Sequence, residues 1–349
     1  MRVLINTTPP TNSGGVANHY KGLKKYWTEE VHYNYIGGRK GIPGSLIIIV
    51  DVLKFIFKML IVRPDVVLLN PSLGKTAIKR DGVFLTLSKI FNKPTVVFFH
   101  GWDEFMVEKI SKDSASFVKR FNKADKLLVL ASSFKQQLQN WGITKPIELT
   151  TTKVDDELTE GFRIDKKSTG KTILFLARIE KAKGILIALE SFNKIKDKIP
   201  DAELIVAGSG SALDEAKRYV EKENLTGVEF SGYVRGNDLK KTFKSSDVYL
   251  LPTYGEGMPT SVLEAMAFGL PVISRPVGGM VDFFENGKMG YLIDSYNQGD
   301  FAEKVIEILS DEEKLRKMGR YNYEYAKEHF YASYVAKQLE NSFRELISN

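Results

Sequence analysis

Apolar residues along the chain fall into short unbroken runs, separated by longer stretches with a helical period. In the first half the runs are RVLIN, DVVLLN, TVVFFH and KLLVLA; in the second they are TILFLA, AELIVAG, GVEFSG, VYLLP and LPVIS. A strand with one wet face alternates apolar and polar side chains. A run that is apolar throughout is buried on both faces, as in a parallel sheet covered by helices. The strand–helix rhythm occurs twice, which predicts an α/β chain of two doubly wound, Rossmann-like domains. The break falls in DDELTEGFRIDKKSTGK, Asp155 to Lys171, which is charged and has no sustained apolar period. The domains are accordingly set at 1–160 and 161–330, with a last helical segment at 331–349. No solenoid-range repeat or low-complexity tract interrupts them.

Composition narrows the picture. A chain of 349 residues exceeds what one core usually serves, and 43% apolar residues suffice for two. The absence of cysteine excludes disulfides, thiolate catalysis and cysteine-ligated zinc. MRVLINTTPP reads as a first strand rather than an export signal, so a cytoplasmic location is expected. SLIIIVDVLKFIFKMLIV, Ser45 to Val62, is too charged for a spanning helix. Its Asp51, Lys54 and Lys58 are spaced to share one face, which predicts a surface helix packed on a sheet with these three outward. The alternative is a helix whose rim touches lipid.

Charge is unequally divided. Residues 1–160 hold 23 Lys+Arg against 15 Asp+Glu, a balance of +8, and the remainder of the chain has −1. KRFNKADK, Lys119 to Lys126, suits an anionic membrane surface or a phosphate-bearing ligand, or is an ordinary solvated helix face. No nucleic-acid motif accompanies the excess, so no nucleic-acid partner is expected.

In open parallel sheets ligands bind beyond the carboxyl ends of the strands, so two such domains facing across a cleft would present their strand-end loops to it. After VYLLPT comes the loop YGEGMP, which places Glu256, Gly257 and Met258 ahead of a helix. Pro259 suits the first helical position and Gly269 the left-handed cap. Val262, Leu263, Met266 and Leu270 make the apolar stripe of that helix, which turns Glu264 away from the core. After TILFLA, Arg178 and Lys183 share one loop and could hold a diphosphate, Arg as a fork and Lys as a point charge. Gly208 in AGSGS, and Gly14 and Gly15 in PPTNSGGVANHY, permit close backbone approach to phosphate at helix starts. His100 ends the strand run TVVFFH.

These motifs together resemble the retaining glycosyltransferases of the GT-B fold, family GT4. The most specific element is the E-x7-E spacing of Glu256 and Glu264, followed by the Arg178/Lys183 pair and the SGGVANH loop. The resemblance covers nearly the whole chain. It implies a nucleotide-diphosphate sugar, UDP- or GDP-linked, bound mainly by the second domain, and a last helix that crosses back to the first. It implies that Arg178 and Lys183 hold the diphosphate, that Glu256 bonds the donor sugar and that Glu264 bonds the ribose. His100 would approach from the opposite domain, and Gly14, Gly15, Gly208, Gly257, Met258 and Pro259 would line the donor. The chain departs from the family at Ala177, where glycine is frequent, at Asp282, where glutamate is common, and before the Val154–Asp155 pair.

With Glu256, Arg178, Lys183 and His100 as candidate catalytic residues, the implied reaction needs no metal or other cofactor. Its acceptor would be a glycan or a lipid-linked molecule, in surface polysaccharide or glycolipid synthesis. The competing classes are a sugar phosphorylase or epimerase on the same fold, and a non-catalytic protein that binds nucleotide sugars or nucleic acid.

Overall fold

The computed structural model describes residues 1–11, 14–37 and 44–348. They form two units, Met1–Lys153 with Ala332–Asn349, and Val154–Tyr331. Among the described residues the first unit runs β1 Arg2–Thr7, α1 Gly15–Leu23, β2 Glu30–Tyr35, α2 Gly44–Val62, β3 Val66–Leu69, α3 Lys75–Ile90 and β4 Thr95–Phe99. It continues with α4 Glu104–Lys112, α5 Ala115–Phe121, β5 Lys126–Val129, α6 Ser132–Trp141 and β6 Ile147–Leu149. The second unit runs β7 Thr172–Leu176, α7 Ile185–Lys198, β8 Glu203–Ala207, α8 Leu213–Lys222, β9 Val228–Gly232, α9 Asn237–Ser245 and β10 Val248–Leu251. It ends with α10 Thr260–Ala267, β11 Val272–Ser274, β12 Gly290–Leu292, α11 Gln298–Leu309 and α12 Glu312–His329; α13, Ala332–Ser348, returns to the first unit.

Both sheets are parallel and six-stranded, ordered β2-β1-β3-β4-β5-β6 and β12-β11-β10-β7-β8-β9. The central strands are the unbroken apolar runs: β3, β4, β5 and β10 are buried at every position. Each order reverses once, between β1 and β3 in the first sheet and between β7 and β10 in the second. Successive helices leave opposite faces of the sheet at such a point, and a crevice opens beyond the strand ends.

The expected domain border at 160/161 lies too late. Val154 is fully buried in the second unit's core. Its N–H donates to the Phe330 carbonyl at 2.7 Å, it bridges to Tyr331, and Thr159 Oγ1 bonds the Tyr331 hydroxyl at 2.7 Å. The charged composition of 155–160 hides this small paired segment.

The charged face expected of α2 holds only in part: Lys54 is exposed, but Asp51 and Lys58 are not. Asp51 is buried and accepts from the Gly37 N–H at 2.8 Å, and Lys58 is half-buried, donating to the Tyr33 carbonyl. Leu46, Ile49, Leu53, Phe57, Leu60 and Ile61 face solvent instead. A carboxylate can leave water when a backbone N–H meets it, and Asp51 shares the inward face of α2 with buried Phe55 and Met59. Lys126 is likewise not part of a solvated basic run. It is buried, paired with Glu148 and Glu345, and donates to Ser342 Oγ at 3.1 Å.

α13 is held to the first unit by a buried carboxylate. Glu340, 1% exposed, accepts from the Thr28 and Glu29 N–H groups at 2.7 and 2.9 Å and from Thr28 Oγ1 at 2.6 Å. Glu340→Ala strands two backbone donors and is expected to lower the stability of this unit by roughly 1–3 kcal/mol. Urea unfolding followed by circular dichroism reads this as a lower midpoint; an unchanged midpoint would show that apolar packing alone seats the helix.

Candidate functional site

The second unit's site is built where its strand order reverses. The loop after β7, residues 177–184, and the loop after β10, residues 252–259, lie side by side because Gly184 has no side chain. A Cβ there would run into the Pro252 carbonyl, and φ is +75°, a conformation glycine adopts without strain. The loops are stitched by the Tyr254 N–H to the Ala182 carbonyl at 2.9 Å and by Thr253 Oγ1 to the same carbonyl at 3.2 Å. A second close approach fixes the far side: Gly278, φ +55°, sits against the carbonyls of Glu256 and Gly257, and the Gly279 N–H donates to Gly257 at 2.8 Å.

This framework brings Lys183 Nζ to 2.6 Å from Glu256 Oε1, with both side chains about 15% exposed (14% and 15%). Thr253 Oγ1 donates to the same carboxylate oxygen at 3.2 Å. The other expected cation behaves differently. Arg178 shares the loop, but its side chain is 69% exposed and forms an ion pair with Glu180 at 2.9 Å. The structure therefore does not hold Arg178 and Lys183 as one fixed pair; Glu180, two residues on, competes for the guanidinium.

Pro259 is the N-cap of α10, one position earlier than expected, and Gly269 has the left-handed φ of +66° that ends the helix. Val262, Leu263, Met266 and Leu270 are fully buried as the stripe requires, but Glu264 is half-buried rather than on a solvated face. Gly208, after β8, lies where a Cβ would run into the Ala177 carbonyl, so its glycine is needed for the β7–β8 loop contact itself.

In this unit Tyr249 escaped the sequence reading. Tyr249, in β10, is buried, and its hydroxyl lies 2.7 Å from both the Leu176 carbonyl and Ser261 Oγ. Burial pushes its pKa far up, and the charges of Glu256 and Glu264 add to this. The phenol thus ties the end of β7 to the start of α10 while standing near both carboxylates. A tyrosine inside the apolar run VYLLP was the available signal.

His100, Gly14 and Gly15 belong to the first unit. Gly14, φ +150°, caps α1 and accepts from the Asn18 N–H at 3.0 Å; a Cβ on Gly14 or Gly15 would meet open space. Asn12 and Ser13 of the same motif lie outside the described residues. His100 Nε2 is 3.0 Å from Asn70 Oδ1, and Asn70 also takes the hydroxyl of Tyr20. His19 packs against His100 with ring centroids 5.1 Å apart, and among the described residues neither of its ring nitrogens has a hydrogen-bond partner. Burial lowers the pKa of His100 to about 3 and that of His19 well below the usual range. Both imidazoles are neutral at neutral pH. His19, Tyr20 and Asn70 were not singled out in the sequence, because HY in α1 and N after β3 carry no periodic signal.

Residues 156–325 match the family model described as glycosyl transferases group 1. Spore coat protein SA of Bacillus subtilis is 32% identical over 178 residues, 48% of this chain and 47% of the relative. D-inositol 3-phosphate glycosyltransferase of Paenarthrobacter aurescens is 29% identical over 181 residues, 50% of this chain and 44% of the relative. The chain thus spans about half the length of the curated relatives it matches. Among solved structures, HepE of Anabaena in complex with UDP-glucose has a TM-score of 0.78 at 16% identity, covering 99% of this chain and 100% of that one. A glycosyltransferase from Rickettsia africae gives 0.78 at 17%, covering 100% and 99%. The fold is that of the GT-B glycosyltransferases.

Because the two imidazoles titrate low when folded and near 6.5 when unfolded, the unfolded chain takes up protons that the folded unit excludes. Their stability contribution is full above about pH 6.5 and falls as pH drops toward 3. For His19 the slope is limited to about 1.4 kcal/mol per pH unit. His19→Leu is expected to flatten the loss of urea midpoint between neutral and mildly acidic buffer; an undiminished loss would place the acid sensitivity elsewhere.

Proposed function

Because residues 156–325 match the family model described as glycosyl transferases group 1, we propose that the protein moves a sugar from a nucleotide-diphosphate donor to a glycan or lipid-linked acceptor, with retention of configuration. The observation that carries this reading is the Lys183–Glu256 pair, set between the two strand-end loops at the switch point of the second sheet. Breaking the anomeric bond leaves positive charge on the sugar carbon and negative charge on the departing diphosphate. A cation and a carboxylate held 2.6 Å apart address those two ends: Lys183 the phosphate, Glu256 the sugar hydroxyls.

The pair is preorganised, since neither group needs to be drawn from bulk water when the donor arrives. Donor binding would exchange part of the Lys183–Glu256 contact for phosphate and hydroxyl contacts. Arg178 would join only by leaving Glu180, which makes it a recruited cation rather than a resident one. Glu264, half-buried on α10, is assigned the ribose. Protein cations and backbone N–H groups carry the leaving-group charge in this scheme, so turnover is expected to survive a chelator. UDP is the nucleotide favoured, since the structural neighbour HepE is seen with UDP-glucose. A lipid-linked acceptor would further require the first unit to meet a membrane.

Lys183→Ala is expected to lower kcat/KM for donor turnover by roughly 10²-fold, the scale of one lost preorganised donor. Activity within twofold of the parent would remove Lys183 from the leaving-group site. Glu256→Gln should leave UDP binding intact and reduce transfer, whereas Glu264→Gln should weaken UDP itself; calorimetry with UDP and GDP on both variants separates the two. Binding of nucleotide sugar with no transfer and no donor hydrolysis would favour the non-catalytic reading. The anomeric configuration of the product, read by NMR coupling constants, tests retention.

A further inference from the structure

α2, α3 and α5 follow successive strands that step the same way across the first sheet. Right-handed crossovers therefore put them on one face. α2 packs on α3 through Phe55 and Phe84, with ring centroids 5.1 Å apart. On the side of α2 turned away from Phe55, Leu46, Ile49, Leu53, Phe57, Leu60 and Ile61 are each between 52% and 63% exposed. They recur at three- and four-residue steps, so they form one stripe along about 22 Å of helix. On α3, Val83 and Ile90 continue the exposed apolar surface.

Within these three helices the exposed charges have one sign. The sole carboxylates within α2, α3 and α5 are Asp51 and Asp81, and both are turned inward, 1% and 0% exposed. Asp51 is bound by the Gly37 N–H and Asp81 by Arg80. What remains outside is cationic. Between α3 and α5 lies a groove of about 610 Å³ whose lining includes Lys79, Lys119, Arg120 and Lys123 and no carboxylate. Gly82 shapes it: a Cβ there would strike the Arg120 side chain, so glycine lets the guanidinium lie across α3.

An apolar stripe flanked by cations, with the acids of these three helices withdrawn, is complementary to an anionic bilayer. Apolar side chains would enter the acyl boundary and Lys and Arg would meet phosphates. A nucleic acid would match the charge but not the stripe, and no described helix is long and apolar enough to cross a membrane. We propose that the joint outer face of α2, α3 and α5 seats this protein on an anionic lipid surface, with the stripe inserted and the α3–α5 groove holding a lipid phosphate. This goes beyond the transfer reaction and does not depend on it.

The test uses the full chain with phosphatidylcholine vesicles, with and without phosphatidylglycerol. Sedimentation is expected with the anionic vesicles, weakening as salt rises. Lys119→Ala/Lys123→Ala should lower the apparent affinity roughly 30-fold, about fivefold for each surface cation. Leu53→Glu/Phe57→Glu should abolish binding at every lipid composition. These side chains are exposed, and circular dichroism would check that each variant is folded. Phe57→Trp reports insertion directly: its emission should shift to the blue only when anionic vesicles are added. No sedimentation at low salt overturns the proposal, as does full binding by the stripe variant. An emission already blue-shifted without vesicles, together with a dimer by ultracentrifugation, would assign the stripe to a second copy of the chain and overturn it too. Full anionic-vesicle affinity in the lysine variant would overturn the groove as the phosphate site.

Discussion

Lys183 meets Glu256 because the Pro252 carbonyl fills the space that a side chain on Gly184 would need. The loop after β7 can then lie directly on the Pro252 carbonyl, and the two hydrogen bonds to Ala182 hold it there. Taking a cation and a carboxylate largely out of water is costly, and the cost is offset only if geometry and further hydrogen bonds are good. Here the Thr253 hydroxyl shares its one proton between the Ala182 carbonyl and the carboxylate, and Gly278 supports the Glu256 backbone from the other side. Buried pairs of this kind add little net stability. What they do is keep two opposite charges in a fixed geometry. The strand order around β7 and β10, the left-handed glycines and the tyrosine beneath the pair all serve that one contact.

The central strands were legible because burial on both faces leaves an unbroken apolar signature. Three strands were not found: β2, β6 and β12. All three are sheet edges, and GluValHisTyrAsnTyr in β2 keeps polar groups because it is only partly covered. β9 is an edge too and was found, since Val228 and Phe230 mark it. In the candidate site, the paired glutamates and both cations stood out by position after strands. The contacts they make did not: the Arg178–Glu180 pair and the Lys183–Glu256 pair depend on which loop reaches which, and that follows from the glycines in three dimensions. α2 shows the same limit. Helical periodicity separates two faces but does not say which one is inside, and Asp51 goes inward with Phe55 and Met59, where the Gly37 N–H meets it.

The first unit carries a different kind of polar interior. His19, Tyr20, Asn70 and His100 gather around the reversal between β1 and β3, at the same place in their sheet as Lys183 and Glu256 occupy in theirs. The first cluster is neutral and aromatic, and the second is an ion pair. The strand ends of the two units therefore differ in charge state.

The return of α13 has a consequence for how the chain is made. The carboxylate that seats this helix lies beyond all of the second unit's residues, so the first unit cannot be finished when its own strands are complete. During synthesis Thr28 and Glu29 must wait for Glu340 while the whole of Val154–Tyr331 is translated. The second unit has every one of its core residues in a continuous stretch and can close without delay. Such long-range closure is slow and leaves surface uncovered in the interval. In a growing chain the order of maturation is thus reversed relative to the order of the sequence: the unit that begins the polypeptide is the one that ends its folding.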